Sequence, residues 1–494
     1  MTNFRIPILV LVAVTISLTG TLGWGQVERV NQLSYSPLPE IKIPEPTRVV
    51  LDNGLTVLLL EDHELPIVSV SARIRTGSRL EPENKVGLAG LTGTVMRSGG
   101  NSQLTGDKLD DYLEGKAASI ETSIGTTAGS ASMNCLIEDF DEVFNVFVEV
   151  LQHPSFAKDK LAIAKNQIIA GIARQNDNPD GIVRREFAKL VYGPDSPYAY
   201  QETYATVGNI TKDDLIGWHQ KYYHPNRMIL GLVGDFKTTE AIALVKKVFD
   251  PWPKGPEFSD PEVPYQQTTK HGVFYVEKND MTQAKIIIGH IGLIRKNPDY
   301  YPVVINNQIL SGSFGARLFS SVRSKKGLAY DVHGGVGFGW DYPLTANFSM
   351  STKTETTQAG IDALIEEAHK IMKTEPPTDE EVQKAKDGLL NSFVFSVDSP
   401  GKVLRKFLTY EYYGYPSDWD IRFQKGIATV TTQEVQRAAQ EHIKPNQFVI
   451  LVIGPRKGTA PALALYDKVQ ELDISIPELQ GENVRPITHQ HSEQ

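Results

Sequence analysis

The strongest constraint on this chain is an internal repeat. Residues 210–234 and 430–454 align without a gap at an offset of 220. Thr211, Pro225-Asn226 and Gly234 in the first copy stand where Thr431, Pro445-Asn446 and Gly454 stand in the second. In each copy the threonine is placed to cap a helix, the Pro-Asn pair to end it, and the apolar run that follows to form a buried strand. Upstream the match is looser, pairing Gly181 to Phe187 with Gly401 to Phe407. The two halves also open alike, with short strand-like runs at 55–60 and 68–74 and again at 272–277 and 284–291. Helical periodicity at 140–151 and 161–175 lies between the opening strands and the closing unit. Strands, then helices, then a strand, twice over, predict a duplicated α+β domain.

Length agrees, since 494 residues exceed one ordinary hydrophobic core. Proline marks the divisions. The stretch from Ser36 to Pro46 is proline-rich, and Pro251, Pro253, Pro256, Pro261 and Pro264 cluster at mid-chain, both favouring extended connections. Arg5, an apolar run from Ile6 and the small-residue site Gly23-Trp24-Gly25 read as a secretory signal cleaved near Gln26. The alternative is an uncleaved anchor, against which the apolar run is shorter than the roughly 20 residues that span a bilayer. The expected organisation is a signal peptide (1–25), a lead-in (26–47), an N-terminal domain (48–250), a linker (251–271), a C-terminal domain (272–460) and a tail (461–494). The expected location is periplasmic or extracellular, or membrane-anchored if the signal stays uncleaved.

The net charge of −9 offers no basic surface for phosphates, so nucleic acid is not an expected partner. No segment after the N-terminal run reads as a membrane span. The single cysteine, Cys135, cannot form an internal disulfide and reads as a buried structural thiol.

Several phrases, in order, resemble the pitrilysin-like (insulinase) zinc metallopeptidase family over nearly the whole mature chain. Asp52-Asn-Gly-Leu-Thr-Val-Leu58 is similar to its opening strand, Gly87-Leu-Ala89 to the start of its zinc-binding helix, and Tyr222-Tyr-His-Pro-Asn226 to its domain-closing turn. Ser313-Phe-Gly-Ala-Arg-Leu-Phe319 followed by Gly327-Leu-Ala-Tyr330 resembles its second-domain signature. The resemblance implies two homologous domains of the pitrilysin and mitochondrial-processing-peptidase type. Each would be a mainly antiparallel sheet packed by helices, and two chains would close around a peptide-admitting chamber.

Active members carry His-x-x-Glu-His directly after the Gly-Leu-Ala phrase, two histidines binding zinc from one helix face and the glutamate activating water. Those positions here are Gly90, Gly93 and Thr94. The third ligand of the family, a glutamate ahead of an Asp-x-Pro turn, aligns with Gly171 when Asn176-Asp-Asn-Pro179 is matched. None of the four supplies an imidazole or a carboxylate, so no zinc is expected in this chain. Of the eleven histidines, His219 and His224 come nearest to ligand spacing, yet they read better as helix-end residues; His489 and His491 lie in a polar tail.

By the same resemblance, an arginine and a tyrosine seven residues apart in the C-terminal domain bind substrate and stabilise the oxyanion opposite the zinc. Arg323 and Tyr330 keep that spacing. The competing readings are a solvated basic run around Arg317, Arg323, Lys325 and Lys326, and an ordinary strand aromatic at Tyr330. Loss of zinc ligands with retention of the pair resembles one subunit of the family's heterodimeric peptidases. The partner would be a pitrilysin-like subunit with an intact His-x-x-Glu-His motif and its own zinc, and unfolded peptides would be the substrates, bound by strand addition to a sheet edge. The alternative is a catalytically inactive peptide-binding or scaffold protein of the cell envelope.

Overall fold

The structure, a computed structural model, describes residues 43–477. The proposed signal peptide, most of the lead-in and the histidines at 489 and 491 lie outside the described residues.

The first half contributes β1 (Thr47–Val50), β2 (Thr56–Glu61), β3 (Ile67–Ile74), β4 (Ser119–Ile124), β5 (Gly129–Leu136) and β6 (Met228–Gly234). The second contributes β7 (Gly272–Glu277), β8 (Gln283–Ile291), β9 (Leu293–Ile294), β10 (Val332–Val336), β11 (Phe338–Gly339), β12 (Thr345–Lys353), β13 (Val449–Gly454) and β14 (Val469–Glu471). The helices of the first half are α1 (Leu88–Ser98), α2 (Gly106–Gly115), α3 (Phe140–Gln152), α4 (Lys158–Ala173), α5 (Pro179–Tyr192), α6 (Tyr204–Gly208), α7 (Lys212–Tyr222) and α8 (Thr238–Phe249). Those of the second are α9 (Tyr300–Ser311), α10 (Thr357–His369), α11 (Asp379–Phe393), α12 (Pro400–Tyr413), α13 (Trp419–Thr429), α14 (Thr432–His442) and α15 (Arg456–Leu463).

Each half forms a mainly antiparallel six-stranded sheet packed by helices. The strand orders are β1-β2-β6-β3-β5-β4 and β10-β12-β8-β13-β7-β14. Reversed, the second list shows the same five-strand pattern, with β7, β13, β8, β12 and β10 standing for β2, β6, β3, β5 and β4. The repeat identified in the sequence places β6 and β13 inside their sheets, where each pairs in parallel with one strand and antiparallel with the other. Such strands are covered on both faces, which explains their nearly unbroken apolar runs. Their preceding helices, α7 and α14, start with capping boxes in which Thr211 and Thr431 accept from Asp214 and Glu434 backbone N–H groups. The sixth strands differ, since β1 joins β2 antiparallel whereas β14 joins β7 in parallel. The chain beyond residue 460, expected to be a tail, therefore still builds sheet: Leu463 is in the core and β14 extends the edge.

The halves are interlocked by exchanged helices. Helix α5 belongs to the first half by sequence but buries Ile182, Phe187, Val191 and Tyr192 against Ile287, Val449 and Leu451 of the second sheet. Helix α12 does the reverse, burying Leu404, Leu408 and Tyr412 against Leu58 and Ile229 of the first sheet. Gly231 permits that approach, because a Cβ there would lie 2.8 Å from Leu408 Cδ1. Both helices begin with a side-chain cap followed by proline, Asn178-Pro179 and Ser399-Pro400. Both end by donating a tyrosine hydroxyl to a carbonyl in the other half: Tyr192 to Pro343 O at 3.0 Å, and Tyr412 to Thr127 O at 2.6 Å. The loose upstream match seen in the sequence is this pair of helices. A boundary drawn at residue 250 thus separates chain segments while cutting through two packed cores.

Candidate functional site

Helix α1 occupies the place expected of the zinc helix, and its N-terminus is set by glycine and a buried carboxylate. Gly87 precedes it with φ 103°, a left-handed conformation that favours glycine. Glu81 accepts from the backbone N–H groups of Ala89 at 2.6 Å and Gly87 at 3.2 Å, satisfying donors that the first helical turn leaves free. Burial outweighs these bonds and, with nearby Glu202, pushes the Glu81 carboxyl up to about 7.

The three expected ligand positions and the general-base position are where the sequence puts them, and they do not fit a zinc ion. Gly90, Gly93 and Thr94 lie on α1, and Gly171 lies on α4, which packs against it. None carries a nitrogen or carboxylate donor. A Cβ at Gly90 or Gly171 would enter open space. Gly93 is different: a Cβ there would stand 2.6 Å from Ile124 N on edge strand β4, and Thr122 Oγ1 donates to Gly93 O at 2.6 Å. The helix has settled onto the strand at the position where the general base of an active member would project.

The outer groups of both edge strands near these helices are partly occupied. Arg97 Nε of α1 donates to Ile120 O of β4 at 2.9 Å. In the second half Asn307 of α9 bonds both ways with Val336 of β10, at 2.9 Å each, and Ser311 donates to Gly334 O at 2.6 Å. The expectation of peptide binding by strand addition meets edges whose hydrogen bonds are partly spent.

Arg323 and Tyr330 are brought together. A π-helical turn, Phe319–Lys325, carries the arginine, and such turns often accompany functional positions. Gly327, with φ 62°, then reverses the chain, with Gly327 N donating to Arg323 O at 3.1 Å and Leu328 N to Val322 O at 3.1 Å. The turn returns Tyr330 to Arg323, whose Cζ lies 4.7 Å from the Tyr330 ring centre and 4.4 Å from that of Phe319. Tyr330 is 79% exposed. The rest of the basic run is mostly spent: Arg317 grips Glu381 through Nε and Nη2, and Lys326 pairs with Glu366. Among the described residues no carboxylate pairs with Arg323. Arg317 and Lys326 are thus ion-paired, whereas Arg323 is stacked between Phe319 and Tyr330.

The remaining candidates are structural. His219 is buried, bonds Leu151 O at 2.8 Å and is held down to about 4 by desolvation, while His224 packs against Gly255; both fit the helix-end reading. Cys135 is buried in β5, its thiol pushed up to about 11 by desolvation. Asp299, Glu441 and His442 form a cluster with metal-like spacing, but Asp299 is already bonded to His442 at 2.7 Å and to Arg437 at 3.0 Å. Among the described residues no helix is long and apolar enough to cross a membrane. Sequence reasoning missed Glu81, Phe319 and the edge-capping residues Arg97, Asn307 and Ser311. Only Glu81 had a local signal, an acid six residues before the glycine that opens α1.

Comparison with known proteins matches residues 56–194 to the family described as Insulinase (Peptidase family M16) and residues 209–389 to Peptidase M16 inactive domain. This chain belongs to the M16 family. The M16 relationship extends to a Non-peptidase homolog YmxG of Helicobacter pylori, 24% identical over 433 residues, covering 86% of this chain and 95% of the relative. A Zinc protease PqqE of the same organism is 23% identical over 437 residues, covering 84% and 94%. Among solved structures, an M16 inactive domain from Pseudomonas fluorescens superposes with a TM-score of 0.75 at 26% identity, covering 83% of this chain and 98% of that one. A protease from Helicobacter pylori, at 20% identity and TM-score 0.73 over 84% and 100% of the two chains, shares the fold. At Gly90, Gly93, Thr94 and Gly171 this M16 chain carries neither the zinc ligands nor the general base of the family's active members.

Proposed function

We propose that this chain is the noncatalytic subunit of a two-chain M16 peptidase, exported to the periplasm or the cell exterior, that lends Arg323 and Tyr330 to the zinc site of a partner. The partner would be a pitrilysin-like subunit with an intact His-x-x-Glu-His motif, and unfolded peptides would be the substrates. The observation that carries this reading is the stacked, unpaired Arg323 guanidinium beside an exposed Tyr330, in a chain whose own zinc helix has no ligands. A tetrahedral intermediate concentrates negative charge on one oxygen, and a guanidinium and a phenol can both donate to it. Arg323 without a carboxylate partner keeps its donors free for that task.

The test is co-expression with an M16 partner carrying the intact motif, followed by peptidase assays on unfolded peptides. Arg323→Ala and Tyr330→Phe should each lower kcat by about 10²- to 10³-fold, the usual cost of one oxyanion donor. Full activity in both variants would sink the proposed role. The second reading is a catalytically inactive peptide-binding or scaffold protein, and the edge capping at β4 and β10, which leaves less of each edge to a bound strand, favours its scaffold form. It predicts no dependence of any proteolysis on Arg323.

A further inference from the structure

A cavity of about 540 Å³ lies between α11, α12, α13 and the segment carrying β9 and β11. Arg295, Trp340, Phe393, Arg405, Lys406 and Trp419 are among its lining residues. Aromatic walls and cations dominate it, and none of this chemistry is used by the Arg323 site.

Arg295 determines what the cavity can hold. Its Cζ lies 4.0 Å from the Trp340 ring centre, and Nη1 donates to the Tyr300 hydroxyl at 2.9 Å. The stack fixes the plane of the guanidinium and the Tyr300 bond fixes its rotation. What remains is the edge formed by Nε and Nη2. Nε is buried without an acceptor, and among the described residues nothing accepts from Nη2. Nε has no exposed surface, so the donor left to a carboxylate or phosphate is Nη2. A purely structural cation–π stack accounts for the plane of Arg295 and leaves Nη2 without a protein acceptor among the described residues.

The surrounding charges point the same way. Asp420 is the only carboxylate lining the cavity, and it is already bonded to Lys406 Nζ at 2.6 Å and to the Tyr410 hydroxyl at 2.8 Å. Lys402 is paired with Asp398 at 2.8 Å. Arg405 is exposed on α12 and has no carboxylate partner among the described residues. The net charge left to the cavity is therefore positive, contributed by Arg295 and Arg405.

We infer that this cavity binds a small aromatic anion, an aryl carboxylate or aryl phosphate. Its charged head meets Nη2 of Arg295 and the guanidinium of Arg405, and its ring packs among Trp340, Phe393 and Trp419. This site is independent of the role proposed for Arg323 and Tyr330.

The mature chain is titrated with phenyl phosphate while tryptophan emission is followed, since Trp340 and Trp419 line the cavity. Saturable quenching with a dissociation constant below about 1 mM is expected. Inorganic phosphate and benzyl alcohol, each lacking half of the recognised chemistry, should bind about tenfold more weakly or worse. Arg295→Lys keeps the charge and loses the stacked, oriented Nη2 donor, so affinity should drop about tenfold. Arg405→Ala, at an exposed position on α12, should weaken binding a few-fold and reduce its salt dependence. Absence of saturation, equal binding of inorganic phosphate or benzyl alcohol, or unchanged affinity in Arg405→Ala and in a folded Arg295→Lys would each overturn the proposal.

Discussion

Helices α1 and α9 fill equivalent places in the two sheets, yet their N-termini carry opposite electrostatics. Each comes after one of the equivalent strands β3 and β8 and lies along an edge strand, β4 or β10, and each has a buried carboxylate at its start. Glu81 at α1 finds only backbone donors and a nearby Glu202, so burial raises it to about 7. Asp299 at α9 is bonded to Arg437 and His442 of α14, which hold it below its ordinary range. The difference lies in the repeat. Helix α7 packs on α1 as α14 packs on α9, but 220 residues before Arg437 and His442 the first copy has Gly217 and Tyr222. A duplicated scaffold has kept the slot and changed the charge that sits in it.

The largest test concerns whether the halves are equivalent in stability as well as in topology. Phe187→Ala in α5 and Leu408→Ala in α12 each remove a buried anchor of an exchanged helix. Each should cost about 2–5 kcal/mol in urea denaturation. Because each helix belongs to the other half's core, both variants should still unfold in one transition. Two separated transitions, one per half, would show that the exchange does not couple the sheets.

Next in size is the carboxylate contrast. The folded Glu81 holds its proton more tightly than the unfolded chain, so its stabilising effect is complete below about pH 4.5 and disappears as pH rises to about 7. The loss is on the order of 3 kcal/mol. Glu81→Gln should abolish that slope between pH 5 and 7 and raise stability at pH 8. Asp299 has the opposite sign: its contribution is present above the ordinary aspartate range and is lost as pH falls through its depressed value. Asp299→Asn should therefore remove an acid-side slope and weaken the protein at neutral pH. Identical pH profiles for the two variants would refute the contrast.

The smallest effect distinguishes two of the lost zinc-site positions. Gly93→Ala forces a Cβ against the backbone of β4 and should cost about 1–3 kcal/mol. Gly90→Ala enters open space within a helix and should gain roughly 0.5–1 kcal/mol. Thermal melts of the two variants that shift in the same direction would show that α1 is not seated on β4 at Gly93.

Most of the fold was legible because its signals are local. Thr211 and Thr431 capped as read, the Pro-Asn turns fell where expected, and the apolar runs after them became interior strands. The loss of zinc chemistry needed only residue identities at Gly90, Gly93, Thr94 and Gly171. The site was less legible. That Arg317 and Lys326 are consumed by Glu381 and Glu366 while Arg323 is left to Tyr330 depends on carboxylates about 40 to 64 residues away. Arg295, in turn, had no signal in its neighbours along the chain.

The sequence by itself determined the duplication, the α+β class, the family and the absence of metal ligands, since caps, periodicity and donor atoms are properties of short segments. Tertiary structure alone decided that α5 and α12 change places, that Tyr192 and Tyr412 bond across the halves, and that Gly93 rests on β4. Each of these joins segments far apart in the chain, where packing of complementary surfaces rather than local propensity selects the partner.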